Sequence, residues 1–411
     1  MISYKEAIEI LSQSFQALPI IRVNAEQAYG VLAEDLISEV QVPSFSNSAM
    51  DGFAVKSEET QSASKKDLVK LEVKGCVLAG EIAPVIEEKK SSCEIMTGSI
   101  MPEGFNAVIP IEQVIIEETL EGKFITINQV VNKGRNVRLA GEDYKPGTII
   151  AKKGQVINPH RLMGIIASKQ ENIPIYQIPK VGVVTTGSEL IDQEKYSDKP
   201  TIPNTNGPFL QSSIRRMGIH CTGVASTPDS LELIKKNIQH CIDNESDIIL
   251  TSGGVSAGKL DLVPDALLSL GADILFHKIW MRPGKPLLFA RMSSGQFVFG
   301  LPGNPVAVAV GFRFFVAQAI RMLQGQALEQ PFMATNTVEF NKPEKFCFFA
   351  KARTEYTKNN LPQTTFLPGQ ESFKLSPFRD ANSWMILPEG KNLIKVGDTV
   401  QVVPLHPGEA L

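Results

Sequence analysis

Ile248-Ile249-Leu250-Thr251-Ser252-Gly253-Gly254-Val255-Ser256-Ala257-Gly258-Lys259-Leu260-Asp261 begins as an unbroken apolar run and dissolves into glycine and serine. An apolar run of that length bounded by a glycine turn reads as a strand buried on both faces, and such strands belong to parallel sheets. Glycines at its carboxyl end let successive N–H groups point toward one spot, the geometry that cradles a phosphate there; a plain tight turn is the other reading. Gly253 to Lys259 also spells Gly-x-x-x-x-Gly-Lys, but Leu260 stands where a P-loop needs a hydroxyl for Mg²⁺.

The same texture extends on both sides. Val181–Thr185, Ile219–Ala225, Asp247–Thr251, Leu287–Ala290 and Phe297–Leu301 read as strands, and Gly207–Met217, Asp229–Ile242 and Pro305–Leu323 as helices. Strands alternating with helices imply a mostly parallel sheet covered on both faces. Asn206 is expected as an N-cap, Gly218 as a helix stop, and Thr227-Pro228-Asp229 as the opening of the next helix. Residues 3 to 18 carry a short amphipathic helix that stops at Pro19. From Val69 the chain alternates with period two and turns at glycines, a β-rich module with Lys56 to Asp67 as a polar edge loop; after Pro331 it returns to short strands.

Composition narrows the class of protein. In 411 residues, 41 Lys+Arg against 44 Asp+Glu give a net charge of −3, so no overall field gathers nucleic acid or an anionic membrane and any anion site is local. The five cysteines are scattered without a Cys-x-x-Cys pair, which suits reduced thiols in a cytoplasmic protein. The N-terminus is too charged for a signal peptide, and Arg313 interrupts the most apolar window, Val306 to Ile320, so no membrane span is expected. The histidines offer no metal spacing.

Several residues carry chemistry. Glu189 follows the strand end Val183-Val184-Thr185-Thr186-Gly187-Ser188, and Asp261 follows the glycine loop. Two carboxylates at strand ends beside a phosphate cradle suit Mg²⁺ shared with phosphate oxygens, although either acid taken alone reads first as a partner of a helix dipole. Lys278, Arg282 and Lys285 lie on a segment stiffened by Pro283, Gly284 and Pro286, a local oxyanion site or a solvated basic turn. Gly300-Leu301-Pro302-Gly303-Asn304-Pro305 leads from a strand into the long helix. Asp51 in Asn47–Val55 and Asp143 in Gly141-Glu142-Asp143 are weak signals taken singly, since such turns are common.

Seven short motifs in order, Ser48-Ala49-Met50-Asp51-Gly52, Thr97-Gly98 before Pro102–Val108, Gly141-Glu142-Asp143, Thr186-Gly187-Ser188-Glu189-Leu190, Ser252-Gly253-Gly254-Val255-Ser256, Pro283-Gly284-Lys285-Pro286 and Gly300–Pro305, resemble the molybdopterin molybdenumtransferase (MoeA) family, which includes the gephyrin E domain. The resemblance covers roughly residues 1 to 330. It implies an enzyme that takes adenylylated molybdopterin and molybdate, cleaves the adenylyl phosphoanhydride with Mg²⁺, and releases AMP. It further implies catalytic roles for Asp51, Asp143, Glu189, Asp229, Asp261, Lys278, Arg282 and Lys285. Substrate contacts fall to Thr97, Thr186, Gly187, Asn206, Ser252, Gly253, Gly254, Ser256 and Pro302, and Mg²⁺ to Glu189 and Asp261.

By the same resemblance the chain is a multidomain α/β and β protein. An α/β domain spans 1–19 and 177–330, a dimerising linker domain 20–38 and 148–176, an inserted β-rich module 39–147, and a C-terminal β-barrel 331–411. A homodimer with sites shared between chains is implied, the β module of one chain facing the α/β domain of the other. The molybdopterin adenylyltransferase and recipient molybdoenzymes are the implied protein partners. Two departures stand out. Arg282 replaces the usual Lys before Pro-Gly-Lys-Pro, and the tail reads Lys345–Lys351 and Gly369-Gln370-Glu371-Ser372 where the family carries Gly-Arg-x-x-Phe-x-Arg and a Gly-Ser pair, so no tail residue is assigned. The alternatives are an adenylyltransferase, against which the extra β modules argue, and a noncatalytic gephyrin-like scaffold.

Overall fold

The N-terminal helix forms over Tyr4–Ser14 (α1), opened by a capping box in which Ser3 and Glu6 satisfy each other's backbone N–H. It ends four residues before the expected stop, where Phe15 turns extended, stacks with Phe289 and Phe299 and packs tilted on Phe297. The computed structural model describes residues 1–191, 201–256, 261–357 and 362–409. The chain divides into two units, one of Met1–Ile21, Tyr29–Ala33 and Ile175–Leu411, the other of Arg22–Ala28 and Glu34–Pro174.

The second unit is built on a six-stranded sheet of Gly52–Val55 (β1), Val69–Val77 (β2), Ser91–Ile95 (β3), Ala107–Pro110 (β4), Ile115–Thr119 (β5) and Gly122–Ile127 (β6), in the order β4-β1-β3-β2-β6-β5. Phe53, Leu71, Ile109 and Ile125 fill one core, as the period-two pattern requires. Lys56 to Asp67 is more than an edge loop. It contains a 3-10 turn over Ser57–Thr60, and fully buried Thr60 accepts the Val131 N–H at 3.0 Å.

The first unit holds the predicted α/β sheet. Lys180–Thr186 (β7), Asn206–Arg216 (α2), His220–Thr227 (β8), Leu231–Asp243 (α3), Ile248–Ser252 (β9), Val263–Ser269 (α4), Asp273–His277 (β10), Leu288–Arg291 (β11), Phe297–Leu301 (β12) and Pro305–Leu323 (α5) follow in sequence. The strand order is β8-β7-β9-β12-β11-β10; the first four are parallel, β11 runs antiparallel to them, and the edge strand β10 is antiparallel to β11. One face packs on α1, α2 and α5 through Phe289, Phe299, Phe312 and Phe315, the other on α3 and α4 through Ile234, Ile238, Val263 and Leu267. Both faces are therefore covered.

Details of the helix starts differ from expectation. Asn206 is the first helical residue rather than the cap, and α3 begins at Leu231, two residues after Asp229. Gly218 does end α2 in the left-handed region, at φ 72°. By length and composition α5 would span a bilayer, but 89% of its most apolar window is buried in this unit. Its Arg313 is 2% exposed and forms a two-pronged pair with Glu329 at 2.6 and 3.0 Å.

The tail closes into a five-stranded barrel of Phe332–Asn336 (β13), Cys347–Tyr356 (β14), Pro362–Phe366 (β15), Ser383–Leu387 (β16) and Thr399–Pro404 (β17), in the cyclic order β14-β15-β13-β17-β16. Closure removes the free edges that short strands otherwise expose. The two-residue strand Met281–Arg282 adds in parallel to the outside of β14, Met281 opposite Cys347 and Arg282 opposite Phe348.

Candidate active site

Parallel strands deliver their loops to one end of a sheet, and here β7 and β9 pair so that Thr185 lies opposite Ser252. The Gly187 and Gly253 turns are thus neighbours. A cavity of ≈ 300 Å³ opens there, lined by Thr186, Gly187, Glu189, Asp229, Gly253, Gly254, Ser256, Asp261 and Pro302 among others. Nine predicted site residues share this one wall. Gly253 (φ 96°) and Gly254 (φ 64°) take left-handed backbone, and a Cβ on Gly253 would stand 2.4 Å from the Thr186 carbonyl oxygen. Only glycine lets the two loops approach this closely. Gly258 and Lys259 lie outside the described residues.

Asn206 and Ser252 act behind that wall. The Asn206 amide, which sequence alone reads as a cap, donates to Ser252 Oγ at 2.9 Å and to the Gly303 carbonyl at 2.8 Å, pinning the Pro302-Gly303 turn. Asp229 is held by the Ser188 N–H at 3.1 Å, and its own N–H donates to Ser188 Oγ at 3.2 Å. Gly254-Val255-Ser256-Ala257-Gly258 also matches a nucleophile-elbow pattern. His277 Nε2–H donates to the Val255 carbonyl at 2.9 Å, so that ring nitrogen is engaged by the backbone beside Ser256.

The donors around this cavity are hard oxygens: the carboxylates of Glu189, Asp229 and Asp261, and Thr186 Oγ1, which is buried without a hydrogen-bond partner. Among the described residues no three His, Cys, Asp or Glu side chains converge as a complete metal cage. That donor set suits Mg²⁺, which takes one or two carboxylates and completes its shell with water and phosphate oxygens.

A second cavity of ≈ 460 Å³ shares Pro286, Pro302 and Asn304 with the first and carries Arg282 and Lys285. Both side chains are exposed. Lys278, half-buried and in the left-handed region at φ 72°, is not among the residues that line it, so the cavity brings together two of the three cations. Gln370, Glu371, Ser372 and Phe373 complete the lining, a contribution of the tail that sequence reasoning missed.

Asp51, Thr97 and Asp143 belong to the second unit. Asp51 accepts the Thr97 N–H at 2.7 Å and the Thr97 hydroxyl at 2.8 Å, and these bonds hold its carboxyl below the usual range, ionised and oriented. Asp143 is exposed on its turn. Burial pushes the thiols of Cys93 and Cys347 up to about 12 and that of Cys241 to about 11, so these three stay protonated.

Comparison with known proteins matches this chain over nearly its whole length. Residues 2–168 fit the MoeA N-terminal region (domain I and II), 182–322 a probable molybdopterin binding domain, and 334–405 the MoeA C-terminal region (domain IV). A molybdopterin molybdenumtransferase of Staphylococcus aureus (strain Mu50 / ATCC 700699) is 32% identical over 407 residues, 98% of this chain and 95% of that protein. One from Staphylococcus epidermidis (strain ATCC 35984) is equally similar, 32% over 407 residues with the same coverage. Two crystal structures of the molybdopterin biosynthesis MoeA protein of Pyrococcus horikoshii superpose with TM-scores of 0.75 and 0.76, at 27% and 26% identity, covering 98% of this chain and 99% of theirs.

Proposed function

This chain belongs to the molybdopterin molybdenumtransferase (MoeA) family and is an enzyme of molybdenum cofactor biosynthesis, and on that premise we propose that it inserts molybdate into adenylylated molybdopterin with cleavage of the phosphoanhydride and release of AMP. The observation that carries this reading is the pairing of two cavities across Pro286, Pro302 and Asn304, one with a glycine nest and three acids, the other with two cations. A substrate with a diphosphate and a co-substrate that is a small tetrahedral oxyanion need these two kinds of surface side by side.

In this account the Gly253-Gly254 turn and Ser256 receive the diphosphate, with Thr186 Oγ1 as an additional polar contact and Asn206 and Ser252 keeping the Pro302-Gly303 wall in place. Glu189 and Asp261 would hold Mg²⁺, which supplies positive charge to the bridging phosphate oxygens when bound. Asp229 is fixed beside them to orient water or substrate. Arg282 and Lys285 hold molybdate, the arginine as a planar fork and the lysine as a point charge. Asp51, Thr97 and Asp143 serve a homodimer whose chains share sites, which mixing of singly inactivated subunits tests.

Lys285→Ala tests the oxyanion assignment. One lost charge-assisted hydrogen bond is worth roughly 1.5–3 kcal/mol, so the molybdate concentration for half-maximal AMP release is expected to rise about tenfold or more. AMP affinity, measured on the same variant by calorimetry, is expected to stay put because the glycine nest is intact. Equal weakening of both would make the second cavity a phosphate clamp, and no weakening of either would return Lys285 to the solvent.

A further inference from the structure

Lys351 lies on β14 with no exposed surface, although lysine is a residue that rarely buries its charge without partners. Its Nζ donates to three main-chain carbonyls, Gly369 at 2.7 Å, Lys374 at 2.9 Å and Glu371 at 3.4 Å. All three belong to one loop. Gln370 doubles the attachment: its amide donates to the carbonyls of Lys351 at 2.8 Å and Leu367 at 2.7 Å, and its oxygen accepts the Lys351 N–H at 2.9 Å. From the α/β domain the Val306 N–H, in the first turn of α5, donates to the Ser372 carbonyl at 3.1 Å.

The loop fastened in this way supplies Gln370, Glu371, Ser372 and Phe373 to the cavity of Arg282 and Lys285. The strand that carries Arg282 is itself paired with β14 at Phe348, three residues before Lys351. One barrel strand therefore holds two parts of the cavity wall. A lysine is an expensive residue to bury on the outer face of a barrel strand, where Lys351 lies opposite Trp384 while Ala350 and Ala352 fill the barrel: an apolar side chain of similar volume avoids the desolvation, and burial pushes this ammonium down to about 8 against its ordinary 10.5. What the ammonium adds over an apolar residue is the collection of three carbonyls from the loop.

We propose that Lys351 is a positioning residue for oxyanion binding, its buried ammonium fixing the 369–374 loop so that Gln370 to Phe373 complete the cavity around Arg282 and Lys285. The inference rests on reading that cavity as the molybdate site. It gives the divergent tail a part in the reaction through main-chain carbonyls, which do not depend on the family's missing arginine.

The test uses the full-length Lys351→Met chain, which keeps most of the side-chain volume and removes the donors. Half-saturating molybdate for AMP release is expected to rise roughly five- to tenfold, while turnover at saturating molybdate and the affinity for AMP change by less than about twofold. Combining it with Gln370→Ala is expected to add less than the product of the single effects, because both act on one loop. Lys285→Ala is run beside it. If Lys285→Ala raises half-saturating molybdate and Lys351→Met does not, the positioning role is overturned and the cavity assignment stands; if neither does, the assignment fails and takes the proposal with it. Parallel loss of molybdate affinity, AMP affinity and turnover would make Lys351 a folding residue only. Should Lys351→Met fail to fold, Gln370→Ala alone carries the decision: a selective rise in half-saturating molybdate is expected, and unchanged molybdate dependence overturns the proposal.

Discussion

Asp261→Asn is expected to lower AMP release from adenylylated molybdopterin by on the order of 10²-fold or more, with the fold intact. The residue lines the acidic cavity at the end of the glycine loop, half-buried, where its charge is less screened than on an open surface. Asparagine keeps the volume and one oxygen and removes the charge that a divalent cation and a diphosphate between them require. Thermal unfolding should move little, because a near-isosteric change at a partly exposed position falls within about 0.5 kcal/mol. Unchanged turnover at saturating Mg²⁺ would remove Asp261 from the reaction. The same variant tests the proposed sharing between chains: if a homodimer shares its sites, mixing with Asp51→Ala subunits would restore one intact site per heterodimer, about one quarter of the wild-type number by random pairing. Verified exchange with no recovered activity would put both residues in one chain's site.

Gly253→Ala is expected to remove AMP binding, with affinity down about 100-fold, or to cost about 3 kcal/mol of stability if the loop stays where it is. Two independent faults combine at this position. The backbone at φ 96° disfavours any L side chain, and the new Cβ would sit 2.4 Å from the Thr186 carbonyl oxygen, an atom anchored in β7 and unable to swing aside as a side chain does. Either the methyl group is forced in and the sheet end strains, or the loop shifts and its N–H groups lose their common focus. Calorimetric titration with AMP together with Tm distinguishes the two. An alanine variant with the wild-type Tm and the wild-type AMP affinity would show that the turn is not a phosphate nest.

The glycine loop, the strand-end acids and the alternation of strands and helices were legible in sequence because each depends on local chemistry: backbone freedom, charge at a strand end, and the period of apolar residues. What was not legible depends on partners distant along the chain. An apolar run carries no direction, so nothing in Leu288–Arg291 tells that it lies antiparallel to Phe297–Leu301. Asn206 at a helix start reads as a cap, and only the packing of α2 beside Gly303 shows its amide spent on the opposite loop. Three cations within eight residues read as one cluster, whereas the folded chain lines one cavity with only Arg282 and Lys285. The capture of the 369–374 loop by Lys351 is likewise a tertiary event: the resemblance already implies a barrel over 331–411, but the 369–372 stretch registers in sequence only as a departure from a motif.

The most direct measurement is AMP released by the purified wild-type chain from adenylylated molybdopterin with Mg²⁺, in the presence and absence of molybdate, with the product assayed for its capacity to activate a molybdenum-free apoenzyme. AMP and active cofactor are expected to appear together, in equal amounts, and to rise with molybdate. No release of AMP at any molybdate concentration, or AMP release without active cofactor, would contradict the proposed reaction.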